Sequence, residues 1–420
     1  MTATNDTWAA AALDEALLDP DGTDQAALGR VLEPFGRSRM LPAAAYTSPA
    51  VLAWERRHLF AGTWTCVGRE VDMRTGASGE LTRRAVQVGD VSVLLTWEGD
   101  GRDAALRAFA NTCRHRGHEL VPRDGAEREP AASHGDRPRG QQSIVCPYHA
   151  WTYDLAGRLR AAPGFRAVEG FDQGEHSLVG LTVERWHGWV FVHALRSLEQ
   201  GPAVPFEHHL GDLQQIVGPY APERLVLGER HSYEVAANWK VVAENYHECY
   251  HCPLIHPELC QVSPPSSGEN YHGRPGAWIG GAMFLRDGMQ TMSLTGESAG
   301  LPIPGVDPTR VEYVQLWPNL LISAHPDYVM THRLVPLEPA RTWIECSWYV
   351  VDRGDGSTPT AAWAAEFWHL TNTQDWSACE SVQRGLSSPH FRPGPFAPAE
   401  DAVHDLVTMV GRGYRGLPLG

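Results

Sequence analysis

The sequence predicts an α+β fold in two parts, a mostly antiparallel β domain followed by a domain built on a second, central antiparallel sheet. Three observations carry this. Between about 60 and 195, runs such as AVQVGDVSVLLTWEGDG, LRAFANTC, WTYDLAGRL and LTVERWHGWVFVH alternate apolar with polar residues or run apolar into acidic-glycine turns, the patterning of strands and hairpins. From about 308 to 352, VEYVQLWPNLLISAHPDYVMTHRLVPL and RTWIECSWYVVDRG repeat it. AAWAAEFWHLTNTQDWSACESVQRGL (361–386) then has helical composition and can carry Asp375 on a wall facing the second sheet.

The elements follow in order. Residues 1–45 mix Ala, Leu and acidic residues and read as a short helix or two and a tether. Residues 46–200 form the first domain, interrupted by the polar stretch VPRDGAEREPAASHGDRPRGQQS (121–143), a surface loop. Residues 201–420 form the second domain. Its first part, about 200–237, is connective, with Pro202, Pro205, Pro219 and Pro222, and NWKVVAENYHECYHC (238–252) is then a short helix stopped by Pro253 and Pro257. A chain of 420 residues can bury two such cores.

A formal charge of -15 argues against a nucleic acid or an anionic membrane surface as partner. No basic leader precedes an apolar core and no apolar run approaches a membrane span, so a cytoplasmic location is expected. Eight cysteines in so long a chain are not a disulfide scaffold. They read as thiols or metal ligands in a reducing compartment, with Cys249, Cys252 and Cys260 as packing residues.

Two ligand sets stand out. The first is Cys113-x-His115 with Cys146-x-x-His149, in CRHRG and CPYHAW. Thiolates with imidazoles suit zinc or an iron–sulfur cluster, and Gly117 and Pro147 suit turns that present ligands at loop tips. The second is Glu248-x-x-His251-x(4)-His256, with Asp375 as a distant candidate. Five residues apart on a straight helix, two side chains point about 140° from each other. Pro253 breaks that helix and lets His256 swing back. Two imidazoles and one carboxylate leave an open face on octahedral iron(II), as O2 activation requires. Spacing alone leaves the carboxylate open between Glu248 and Asp375.

In each pair of the first set Cys precedes His, which resembles the Rieske signature. From about 45 to 412 the chain resembles the catalytic α subunit of a Rieske non-heme iron oxygenase. NWKVVAENYHECYHCPLIHP matches that family's iron segment and TNTQDWSACESVQ its later aspartate segment. The resemblance implies that Cys113, His115, Cys146 and His149 hold a [2Fe-2S] cluster, and that His251, His256 and Asp375 hold a mononuclear Fe(II). Glu248 falls on the bridging carboxylate that links an iron-ligand histidine to a cluster histidine of the neighbouring subunit, here His149. Asn245 matches an asparagine near the iron. The gap between His115 and Cys146 is longer than usual in the family, and the 121–143 stretch accounts for it as an insertion.

The family's second domain is a helix-grip (START-like) fold, and its assembly a head-to-tail homotrimer. A separate flavin and iron–sulfur reductase would deliver electrons from NAD(P)H, since this chain holds no Gly-rich dinucleotide fingerprint. SPAVLAWERRHLFAGTWTCVGR and QDWSACESVQRGL are similar to segments of enzymes acting on glycine betaine, choline and related N-methyl compounds. The expected reaction is thus O2-dependent monooxygenation or N-demethylation of a quaternary or N-methylated amine. Hydroxylation of an aromatic ring or aromatic acid is the alternative, and a non-catalytic Rieske electron carrier is the alternative of another class. An aromatic box for such a cation could draw on Trp278, Trp317, Tyr328, Trp368 and Trp376.

Overall fold

The computed structural model describes residues 12–19, 26–76, 79–99, 101–122 and 143–419. The expected polar loop at 121–143 lies almost wholly outside the described residues. The chain divides into two units, Arg56–Ala203 and a larger one that joins Met1–Glu55 to Val204–Gly420.

The smaller unit is a six-stranded antiparallel sheet in the order Thr65–Arg69, Trp189–Ser197, Gly180–Trp186, Ala105–Ala110, Val91–Glu98, Arg83–Val88. Successive side chains of a strand point to opposite faces. Val93, Leu95 and Trp97 accordingly enter one core with Val190 and Val192, while Leu94 enters another with Phe109, Ile144 and Tyr153. Burial on both faces is why VSVLLTW reads as an apolar run rather than an alternation. A three-stranded antiparallel sheet, Ser143–Val145, Thr152–Asp154 and Leu159–Ala161, supplies part of the second core.

In the larger unit a seven-stranded antiparallel sheet runs in the order Val226–Val235, Arg341–Val350, Tyr328–Glu338, Leu320–Ala324, Arg310–Leu316, Trp278–Phe284, Glu269–Asn270. Helices α1 (Trp239–Tyr246) and α2 (Ala362–Leu386) pack against each other and against the strands Tyr328–Glu338 and Val226–Val235 respectively. The Asn238 carboxamide caps α1 by accepting the Lys240 backbone N–H at 3.0 Å. Lys240 Nζ lies 2.7 Å from Glu55, both side chains fully buried, and Glu55 also accepts from Trp239 Nε1 at 2.9 Å and from the Tyr414 hydroxyl. A buried charge is tolerated only when paired and hydrogen-bonded in this way. The start of α1 is therefore fixed by Glu55, within the described part of the N-terminal segment.

The helix expected over 238–252 is shorter, ending at Tyr246. Beyond it the Glu248 carboxylate takes the backbone N–H groups of Tyr250 and His251, the latter at 3.1 Å. A side chain that captures those donors replaces the helical partners they would otherwise need. Among the described residues no helix is long and apolar enough to cross a membrane.

Candidate metal centres and cavity

In the smaller unit Cys113 and Cys146 begin two similar loops. The Gly117 and Ala150 N–H groups donate back to the Cys113 and Cys146 carbonyls at 2.9 and 3.0 Å. Both loops end on a left-handed residue, Gly117 at φ 73° and Ala150 at φ 57°. The two thiols are buried in the second core beside Trp151 and Tyr153, and the Tyr153 hydroxyl meets Cys113 Sγ at 3.4 Å. His115 is half-buried, His149 is exposed, and their rings lie 4.7 Å apart. Sulfurs inside and imidazoles outside give the group a polarity along one axis. Among the described residues only one set of three donors falls within 4.8 Å of one another, and it is not drawn from these four.

That one set is His251, His256 and Asp375. Pro253 and Pro257 each sit in the first turn of a short helix, Cys252–Ile255 and Pro257–Val262, and His256 is the junction between them. The redirected chain brings His251 Nε2 and His256 Nε2 to 3.1 Å. Asp375 Oδ1 stands 2.8 Å from His256 Nε2 and 3.3 Å from His251 Nε2. Donors about 2.1 Å from one ion lie about 3.0 Å apart when cis on an octahedron and about 3.4 Å apart on a tetrahedron. The observed distances favour one face of an octahedron, which suits a mononuclear iron site.

Each imidazole is oriented through its other nitrogen. His251 Nδ1 donates to Glu248 Oε1, and His256 Nδ1 donates to Gln374 Oε1 at 2.7 Å. Glu248 thus sits behind His251, on the side away from Asp375. Burial opposes protonation of His251, but hydrogen bonds to Asp375 and Glu248 outweigh it and hold its pKa up to about 9. His332, equally outside the donor set, is pushed down to about 4 by burial and bonds Asn372 Oδ1 through Nε2 at 3.3 Å. His325 is fully buried and stacks on Tyr328 at 4.1 Å.

The expectation of free thiols fails at one place. Cys249 and Cys252 form a disulfide around Tyr250 and His251. A turn in which the Cys252 N–H donates to the Cys249 carbonyl at 3.3 Å brings their Cα atoms to 4.9 Å, within bridging range. Cys260 remains a thiol.

A cavity of about 430 Å³ opens onto the three donors. One face of α2 presents Trp368, Thr371, Asn372, Asp375 and Trp376 to it, the i, i+3, i+4, i+7, i+8 series of a single helical stripe. Asn245 lines it from the end of α1. Tyr246 and Tyr313, not foreseen, join Trp368 and Trp376 as its aromatic wall, with Tyr313 6.0 Å from Tyr246 and 6.5 Å from Trp368. Trp278, Trp317 and Tyr328 do not line it and belong to the core. Tyr328 acts from behind, its hydroxyl accepting the Trp368 Nε1–H at 2.7 Å. The missed tyrosines lie on an apolar strand and a helix end, where core packing and cavity lining look alike in sequence.

Residues 63–172 match the Rieske [2Fe-2S] domain model, and residues 222–416 match the model of the ring hydroxylating alpha subunit catalytic domain. The chain belongs to the Rieske non-heme iron oxygenases, as a catalytic subunit. It is 29% identical to the glycine betaine monooxygenase oxygenase subunit of Chromohalobacter salexigens over 94% of this chain and 92% of that protein. It is 28% identical to the carnitine monooxygenase oxygenase subunit of Escherichia coli K12, over 84% and 85%. In fold this oxygenase is similar to a quaternary ammonium Rieske monooxygenase, with a TM-score of 0.71, 24% identity and coverage of 93% and 98%. It is also similar to naphthalene 1,2-dioxygenase from Rhodococcus sp., with a TM-score of 0.62, 17% identity and coverage of 90% and 94%.

Proposed function

We propose that this oxygenase uses O2 and reductase-supplied electrons to oxidise an N-methyl group, or the carbon beside it, of a quaternary or N-methylated amine. One observation carries the choice of substrate. The cavity is walled by Tyr246, Tyr313, Trp368 and Trp376, is lined by the carboxylates of Glu248, Glu269, Asp375 and Asp401, and has no Lys or Arg among its described lining residues. Aromatic faces attract a cation that cannot donate hydrogen bonds, by about 0.5–2 kcal/mol per contact. An aromatic acid, the alternative substrate, would offer these faces no cation. The named substrates of the two betaine-type relatives point the same way.

In this reading His251, His256 and Asp375 hold the iron(II), and Cys113, His115, Cys146 and His149 hold the cluster. When bound, these groups supply an open coordination face for O2 and one-electron delivery. The chain's own residues do the rest. Glu248 keeps the His251 tautomer with Nε2 turned to the metal, and Gln374 does the same for His256. The aromatic wall orients the ammonium group. For N-demethylation, an N-methyl group, O2, two electrons and two protons give an N-hydroxymethyl group and water, and the former breaks down to formaldehyde and the demethylated amine. The electrons come from NAD(P)H through a separate reductase.

We also read the larger unit as a helix-grip and the assembly as a head-to-tail trimer. Glu248 would then connect His251 to His149 of the neighbouring subunit, and Asn245 would act beside the iron. Oxygen uptake and formaldehyde release, measured together over betaines, N-methyl amines and aromatic acids, test the substrate class. Coupled turnover confined to aromatic acids overturns it. Asp375→Ala tests the metal assignment: mononuclear iron should be lost and the cluster absorbance kept, whereas normal iron content with full activity refutes it.

A further inference from the structure

The Cys249–Cys252 bridge encloses a candidate metal ligand, since only Tyr250 and His251 stand between the two cysteines. The other six cysteines are thiols. Both bridged residues line the cavity that opens onto His251, His256 and Asp375. Cys252 is buried and Cys249 is partly exposed, so a small reagent that enters the cavity meets the bridge.

A bridge across so few residues does little for global stability. The stabilisation a disulfide draws from the unfolded chain grows with the loop it closes, and these cysteines are three residues apart. Its effect is local. The hydrogen bond across the same turn, from the Cys252 N–H to the Cys249 carbonyl, is long at 3.3 Å and holds it weakly. Glu248 secures the other side, through the Tyr250 and His251 N–H groups and His251 Nδ1. Cys252 is tied to both histidines. It follows His251 directly, and its carbonyl accepts the His256 N–H at 2.9 Å. The covalent bridge is thus the firmest tie on the Cys252 side of the turn.

We propose that Cys249 and Cys252 are a reversible dithiol–disulfide couple that sets the affinity of the metal site. Bridged, the turn holds His251 and His256 in register for one ion. Reduced, the turn loosens, and an ion must order it on binding, which costs affinity. The inference rests on the reading of His251, His256 and Asp375 as metal ligands.

Hydrogen peroxide, the two-electron reduction product of O2, is the oxidant. One cysteine sulfur takes a peroxide oxygen and becomes a sulfenic acid, while the other oxygen leaves as water. The second sulfur then displaces that hydroxyl, forming the S–S bond and a second water. Two electrons pass from the sulfurs to the peroxide. A dithiol reverses the step: its own sulfurs become a disulfide and its two hydrogens pass to Cys249 and Cys252.

The test compares two forms of the full-length, cluster-loaded protein whose mononuclear site has been emptied. One is reduced with dithiothreitol, the other oxidised with a stoichiometric amount of hydrogen peroxide, and each is freed of reagent under argon. Peptide mass mapping reads the bridge as the loss of two hydrogens from the peptide carrying Cys249 and Cys252. Titration with Co(II), followed by its d–d spectrum, then gives Kd. The oxidised form should bind about tenfold more tightly, and dithiothreitol should return it to the weaker state. Cys249→Ser combined with Cys252→Ser should bind as the reduced form does and ignore both reagents, whereas Cys260→Ser should respond as the parent. Equal Kd in the two forms, a bridge that peroxide does not make, or a response that survives in the double serine variant overturns the proposal. If that variant does not fold, the two forms of the parent decide alone. Failure of the metal reading has a different signature: neither form binds Co(II).

Discussion

Gln374 Oε1 accepts the Nδ1–H of His256 at 2.7 Å, and the Gln374 amide nitrogen in turn reaches Glu258 at 3.5 Å. Gln374 is therefore the neutral counterpart of Glu248, each holding one of the two histidines by the nitrogen that faces away from Asp375. The pair treats the histidines differently, since an anionic acceptor makes an imidazole a stronger donor to metal than a neutral one.

Replacing Gln374 by Leu should weaken iron(II) binding about 10–100-fold and leave the cluster absorbance unchanged. Gln374→Glu, which keeps the acceptor, should restore most of the affinity. The d–d spectrum of the cobalt-substituted enzyme reports on the site without turnover. A Leu variant that loses thermal stability but keeps its metal affinity and cobalt spectrum would reduce Gln374 to a packing residue.

Glu248→Gln should retain both metal centres while slowing oxidation of the reduced enzyme by about 10–100-fold. Iron content and single-turnover cluster re-oxidation are the measurements. Loss of mononuclear iron in this variant would instead make Glu248 a ligand, against its position behind His251.

Metal loading should be strongly pH-dependent. His251 in the metal-free protein holds its proton up to about pH 9, because Asp375 and Glu248 outweigh the cost of burial. The ion binds only the neutral ring, so below that pH it must displace a proton. Apparent affinity should rise about tenfold per pH unit for each proton displaced and level off above pH 9. Titrations of the metal-free enzyme with Co(II) between pH 6 and 9 measure this; a flat profile would contradict it.

Stability carries a separate signature from Glu244, on α1. Burial raises its pKa to about 7 from the ordinary 4.5, although Tyr46 donates to its carboxylate at 2.7 Å. Between those values the folded chain keeps a proton that the unfolded chain has lost, so stability falls as pH rises. Glu244→Gln should remove that contribution. The gain in stability over the parent should grow from pH 4.5 to pH 7 and stay constant on either side, as read from denaturant unfolding at a series of pH values.

Much of this was legible before the fold was known, and the exceptions have physical causes. The strands between about 60 and 195 and between about 308 and 352 showed in their apolar patterning, because a strand's neighbours impose a two-residue repeat wherever one face is buried. Val226–Val235 lies instead in the stretch read as connective, and Glu269–Asn270 and Trp278–Phe284 carried no strand reading. The bend that brings His256 back to His251 showed in Pro253 and Pro257, because proline constrains the chain locally. The end of α1 at Tyr246 did not show. It depends on the Glu248 side chain capturing backbone donors, which helix propensity does not record. The Cys249–Cys252 bridge was missed for the same reason: composition spoke of thiols, and the turn geometry that joins them appears only in three dimensions.

The sequence by itself determined the chemistry: two ligand sets of different softness, in an order specific to one family. Periodicity, turn residues and ligand spacing are local, and they survive in a linear string. Tertiary structure brought Asp375, which the family resemblance implied and spacing alone left open, to both histidines, and drew Tyr246, Tyr313, Trp368 and Trp376 around one cavity. It also set Arg310 and His272 against acidic partners, Glu269 and Glu312 for the one, Asp401 and Asp405 for the other. Those relations join residues far apart in the chain, and only the packing of α2 and the strands around the cavity brings them within reach.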